Sequence, residues 1–298
     1  MVSDSIGSIY AVLTAVCWAI SALAFERAGR TFGTLALNLV RITIAAAALC
    51  SWSWIETGSP WPVALDSSAW GWLTLSSMLG LVFGDLCLFF ALVAVGPRQS
   101  LVMMAGAPAL AATISWFWLH ESLQVVQLFG IALTCVGIGA AVLGSRPEPG
   151  SNGHNRRLGL IAAFGAALGQ AGGLVTSKEA LALTTPIVAT QVRLLVATAA
   201  FLILAIIARS GPRIAKGWRD RNARLATLIG TFFGPVAGVS FSLAAISNAP
   251  VGVASSIFST TPIILLLVAR IQGHRVTLLA WIGTLITVSG VALLFLTR

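Results

Sequence analysis

Three ionisable side chains, Arg41, Asp85 and Arg193, stand well inside long apolar stretches of this 298-residue sequence. Charges in such a setting are expensive, so they face the interior of a helix bundle and are paired or functional. Arg41 lies ten residues from Thr31 and Asp85 ten from Val95, the ends of their stretches on one side of the chain's zigzag. At about 1.5 Å per helical residue both sit about 15 Å from that side, close enough in depth to form an ion pair. Two roles follow for the pair: a fold-fixing salt bridge, which is favoured, or a substrate or proton site centred on Asp85. Arg193 has no such acid, because Pro235 stands where Asp85 would be in the second half of the chain. Its guanidinium is left to snorkel or to attract a substrate carboxylate.

Other chemistry is hard to find. Cys17, Cys50, Cys87 and Cys135 fall in apolar stretches without CxxC or Cys/His spacing, so neither a metal site nor a disulfide framework is expected. No Walker loop, nucleotide fingerprint, HExxH or GxSxG motif is present, and no cofactor is expected. A membrane-embedded enzyme would need convergent ionisable residues, and a pore would need rings of charge.

Proline placement is more informative. Within GAPALAATISWFWLHESL, Pro108 falls early in an apolar helix, where it removes a donor at a cost of about 3 kcal/mol. Pro108, Pro262 and Pro235 are expected to free the carbonyls of Met104, Phe258 and Thr231. In lipid a free carbonyl is costly, so these kinks should face protein or a water-filled cavity, as hinges and as acceptors for a substrate ammonium. The alternative is a kink satisfied by neighbouring side chains.

The elements that must position these residues are membrane helices. The chain is 57% apolar and only 9% charged, with mean hydropathy +0.94. Soluble domains carry about 25% charged residues. Ten runs are long enough to span a bilayer: Ile6 to Phe25, Thr31 to Ile55, Ala69 to Val95, Ser100 to Leu119, Leu123 to Leu143, Leu158 to Ser177, Pro186 to Ala208, Leu225 to Ser247, Val251 to Ala269 and Val276 to Leu296. The net charge of +9 does not mean nucleic acid here, because the basic residues sit in the loops. Fourteen of the 18 Lys and Arg residues fall in alternate loops on one side, against Lys178 and Arg298 on the other. The positive-inside rule makes the basic side cytoplasmic and puts both termini outside. Trp52, Trp54, Trp61, Trp70, Trp72, Trp116 and Trp118 then form an outer aromatic belt.

The linker SRPEPGSNGHNRR separates two similar halves. LNLVRITIAAAAL at Leu37 matches ATQVRLLVATAAF at Ala189, Gly80 and Gly84 match Gly230 and Gly234, Pro108 matches Pro262, and Gly130 and Gly137 match Gly283 and Gly290. The offsets run from 150 to 154 residues. Five helices per half is odd, so the second half must be inverted, the architecture of secondary transporters with a site near the midplane. The expected fold is an all-α membrane protein of ten helices in two inverted five-helix repeats, residues 1–143 and 158–298, joined by a cytoplasmic linker at 144–157. The paired glycines are expected to let helices approach closely.

An arginine in the second helix, a proline in the fourth, then Glu121-x-Leu123, Gln127, Gly130 and Gly137 resemble the EamA domain of the drug/metabolite transporter superfamily, in two copies. The second copy departs at HRVTLLAWIG, with His274 where the family has glutamate. The resemblance implies a bundle that moves small organic metabolites by alternating access, the first, third and fourth helices of each repeat surrounding the path. On those helices Trp18, Ser21, Asp85, Phe89, Met103, Met104, Gln170, Ser256 and Thr260 are the expected substrate-facing residues, with Arg193 on the seventh helix. Arg41, Pro108, Pro235, Pro262 and Glu121 are expected to be structural or hinge residues, Glu121 favouring the positive end of the fifth helix. The likeness to bacterial amino-acid exporters makes neutral or aromatic amino acids the expected cargo, with a broad drug or toxin exporter as the alternative. The expected partners are that small-molecule substrate and the lipid bilayer of a bacterial inner membrane, with no nucleic acid and a monomer as the working state.

The topology is directly testable. On a cysteine-free background, cysteines at Ser3 and Thr297 should label from outside intact cells and one at Gly217 should not; labelling at Gly217 alone would reverse the orientation.

Overall fold

The computed structural model describes residues 2–62, 65–118, 124–144, 153–181, 183–248, 257–273 and 276–295, which contain helices and no strand. The first half comprises α1 (Val2–Phe32), α2 (Thr34–Thr57), α3 (Ser67–Ala94), α4 (Gly96–Met104 continuing as Ala107–Trp118) and α5 (Val125–Gly144). The second comprises α6 (Gly153–Leu181), α7 (Pro186–Ile207), a short α8 (Gly211–Arg219), α9 (Arg221–Thr231, Phe232–Gly238 and Val239–Asn248), α10 (Thr261–Ile271) and α11 (Leu278–Phe295). Seven described helices are long and apolar enough to cross a bilayer, among them every one of the first half. Ser256, Glu121, His120 and His274 lie outside the described residues.

Glycine decides how the halves meet. Gly137 of α5 lies against Thr287 of α11, Ala141 against Gly283, and Gly144 against Ala280, so residue numbers fall along one helix as they rise along the other. The two helices are repeat equivalents, and they run antiparallel. The same descending register joins α3 to α6, where Gly80 and Gly84 meet Gly173 and Gly169, and α1 to α9, where Phe25, Ser21 and Trp18 meet Gly230, Gly234 and Gly238. Without a hydrophobic force between helices in lipid, such close backbone approach is what supplies dispersion and hydrogen bonding. Thus Ser76 Oγ donates to the Gly173 carbonyl at 2.5 Å, and Ser21 Oγ to that of Gly230 at 2.9 Å.

Both halves carry irregular backbone at equivalent places, and here the structure corrects the reading of the prolines. Pro108 and Pro262 are not inside continuous helices: α4 breaks at Ala105 and Gly106, and a turn at Ser259 and Thr260 precedes α10. Each proline is the second residue of the segment that follows, so its missing N–H falls among donors that a helix start leaves free anyway. The Phe258 carbonyl, expected to be free, accepts from Thr261 Oγ1 at 2.7 Å. Pro235 sits inside a π-helical segment, Phe232–Gly238, rather than in regular α-helix; α3 has its counterpart at Ser77–Gly84.

The arginine-rich ends cluster. Thr31 Oγ1 donates to the Asp220 carboxylate at 3.5 Å, and the Arg213 side chain reaches Gly33. Gly217 packs so tightly on the buried ring of Phe32 that a Cβ there would clash, which makes the exposed Lys216 the better position for the inner labelling probe. The belt tryptophans are mostly exposed, Trp54 by 65% and Trp118 by 66%, as side chains in an interface must be.

The glycine seams yield a test. Gly283→Val forces atoms into the Ala140–Ala141 backbone of α5, and overpacking of this kind costs about 1–3 kcal/mol. Gly139→Val points into open space. A thermal melt in detergent should show a clear fall in midpoint for the first and none for the second.

Candidate functional site

The π segment of α3 ends at Gly84, and Asp85 begins the regular helix that follows. There it meets α2, whose Arg41 Nη2 donates to Asp85 Oδ2 in an ion pair with both residues buried, 7% and 4% exposed. Asn38, one turn before Arg41, completes the arrangement. Its Oδ1 accepts from Arg41 Nε at 2.9 Å, and its Nδ2 donates to the carbonyls of Thr34 at 3.0 Å and Asp85 at 3.4 Å. The guanidinium carbon lies 4.4 Å from the centre of the Phe89 ring and 5.5 Å from that of Phe25, and the two rings pack 5.1 Å apart. A desolvated cation gains from aromatic faces, so the pair is matched by carboxylate, amide and rings together.

The sequence placed Arg41 and Asp85 at one depth, and the structure brings them into contact. Asn38 and Phe25 were missed, although Asn38 precedes Arg41 by the three residues that share a helix face. Phe89, expected on a cavity wall, is 3% exposed within the core formed with Phe25, Phe32, Leu37 and Leu92.

Arg193 differs from expectation in one respect. Asp85, from the other half, lies within its electrostatic reach, so one carboxylate stands near both repeat-equivalent arginines. Its guanidinium enters the α3–α6 crossing, where a Cβ at Gly80 would come within 3.0 Å of Nη2, and Ser77 Oγ donates to its carbonyl at 2.7 Å. Nε is buried with no hydrogen-bond partner.

The remaining expected site residues are distributed around the bundle. Trp18 is half-buried, its ring against Gly238 and 5.4 Å from that of Phe258, so it joins α1, α9 and the approach to α10. Ser21 is occupied in the α1–α9 seam. Met103 packs on Ala91, Val95 and Ala163, and Met104 is half-buried at the break in α4. Gln170 is half-buried on α6, its backbone at Gly84; Thr260 Oγ1 donates to the Ile257 carbonyl at 2.6 Å. No group of three metal-ligating side chains occurs among the described residues.

The ion pair can be tested apart from transport. Asp85→Asn strands a buried guanidinium, and breaking such a pair costs about 3–5 kcal/mol when burial is complete. Its melting midpoint should fall, and adding Arg41→Gln should restore part of it. Wild-type stability in Asp85→Asn with transport or its pH dependence lost would instead assign the aspartate to the mechanism.

Comparison with known proteins bears on the whole chain. No curated protein matches its sequence significantly. One solved crystal structure of a protein aligns with a TM-score of 0.67 over 96% of this chain and 94% of that one, at 18% identity, a likeness of fold. The model of the EamA-like transporter family matches residues 5–143 and again 157–296, the two halves that glycine seams join in antiparallel register. The chain belongs to the EamA-like transporter family.

Proposed function

We propose that this protein is a secondary transporter that exports small organic metabolites, neutral or aromatic amino acids first among them, across a bacterial inner membrane. The observation that carries this reading is the antiparallel register of repeat-equivalent helices. An inverted pair of like units has two related arrangements of similar energy, one open to each side, which is the physical basis of alternating access. Interruptions at matching places in both halves, the breaks before Pro108 and Pro262 and the two π segments, supply the hinges. In this reading ten helices span the bilayer and both termini lie outside. Trp18, Met103, Met104, Gln170, Ser256 and Thr260 contribute to the substrate path.

A broader drug exporter is the second reading, favoured by a 220 Å³ cavity between α3, α4 and α6. Its walls include Trp72, Leu79, Ile114 and Trp118, an apolar lining suited to hydrophobic compounds.

Proteoliposomes decide between carrier and enzyme. Saturable counterflow of labelled phenylalanine is the expected result, and chemical conversion of it would mean an enzyme. Trp18→Ala and Gln170→Ala should each weaken apparent affinity about tenfold, the scale of one lost contact of about 1.4 kcal/mol. Unchanged affinity in both would remove these residues from the path.

A further inference from the structure

Asp85 and the two arginines leave the charge at this level of the bundle unbalanced. Arg41 and Arg193 are repeat equivalents, yet only the first half supplies a carboxylate, and Asp85 is already engaged by Arg41. The position equivalent to Asp85 in the second half is Pro235. Two guanidinium groups therefore stand against one acid, and Arg193, half-buried with its Nε out of solvent, has no counter-charge of its own.

The surroundings of Arg193 hold the side chain while leaving its donors free. Ser77 binds its backbone carbonyl, Gly80 makes room for Nη2, and the buried Nε has no partner. Among the described residues no ion pair or hydrogen bond engages the guanidinium, whose donors form a planar fork. Such a fork fits the two oxygens of a carboxylate. One carboxylate group at Arg193 would balance the three side chains locally, whereas a phosphate dianion would overshoot.

We propose that Arg193 recognises the carboxylate of the transported molecule, so that the cargo is restricted to small organic acids and amino acids. This rests on the transporter reading above and names the group that the site selects. The asymmetry between the halves is then functional: Arg41 is neutralised within the fold, and Arg193 is neutralised by cargo.

The test uses the full chain in nanodiscs with two probes of one shape, phenylacetate and its uncharged analogue phenylacetamide, and reads ligand-dependent shifts in melting temperature. Wild type should bind the acid at least tenfold more tightly than the amide, about the scale of one charge-assisted hydrogen bond. Arg193→Gln should abolish the difference and Arg193→Lys should keep part of it. Gly80→Ala, which crowds Nη2, should weaken the acid and spare the amide. Equal binding of both probes by wild type, or an undiminished preference in Arg193→Gln, overturns the proposal. Should Arg193→Gln not fold, wild-type preference in both Arg193→Lys and Gly80→Ala overturns it equally. Counterflow judges the transporter reading separately: acid preference without flux would sink that reading and leave the carboxylate site, and flux without acid preference would do the reverse.

Discussion

Close contact between helix backbones is the constraint on which this structure depends. A bilayer gives apolar helices no reason to prefer one another over lipid, so cohesion must come from dispersion and hydrogen bonds at short range. Glycine allows that range. At the α3–α6 crossing, Gly80 and Gly84 lie against Gly173 and Gly169, so neither helix presents a side chain at these contacts, and the Ser76 hydroxyl bridges to the facing Gly173 carbonyl. The α5–α11 seam uses glycine in the same way, Thr134 and Thr287 standing opposite Gly290 and Gly137, but here the hydroxyls donate within their own helices, to the carbonyls of Gly130 and Gly283. Because each seam joins the two halves, inter-repeat packing and the antiparallel relation of the halves are one property.

Polar groups elsewhere obey the same scarcity of water. The Arg41–Asp85 pair is wrapped by Asn38, Phe25 and Phe89, which replace the hydration both charges lose. Hydroxyls at Thr260 and Thr261 take up carbonyls ahead of α10, where regular helical bonding stops. Irregular backbone at membrane depth is tolerable only with such partners, or where it faces protein or a cavity. Both halves turn an N–H back to the carbonyl three residues earlier, Gly106 to Met103 and Thr260 to Ile257, each at 3.0 Å, and the α10 end adds the threonine hydroxyls.

Much of this was legible in the sequence because lipid imposes a coarse code. Spans follow from length and hydropathy, and the repeat from the matched Arg, Gly and Pro spacings. The depth of Arg41 and Asp85 followed from a rise per residue that every α-helix shares. Depth does not determine azimuth, so Asn38 and Phe25, which complete the pair, were not identified from the sequence. The prolines misled for a related reason. Pro108 looks like an interior helix residue in a continuous apolar run, but a run of hydropathy cannot distinguish one helix from two consecutive segments.

What the sequence by itself determined, then, was the medium, the repeat and the residues that had to find partners in it: each is set by composition or by spacing along one chain. Only the tertiary structure decided which helix faces which, that Asp85 stands near both Arg41 and Arg193, and that Gly80 holds open the space beside the second arginine. Those facts depend on how each helix is rotated about its axis, and rotation is set by contacts between helices distant in sequence.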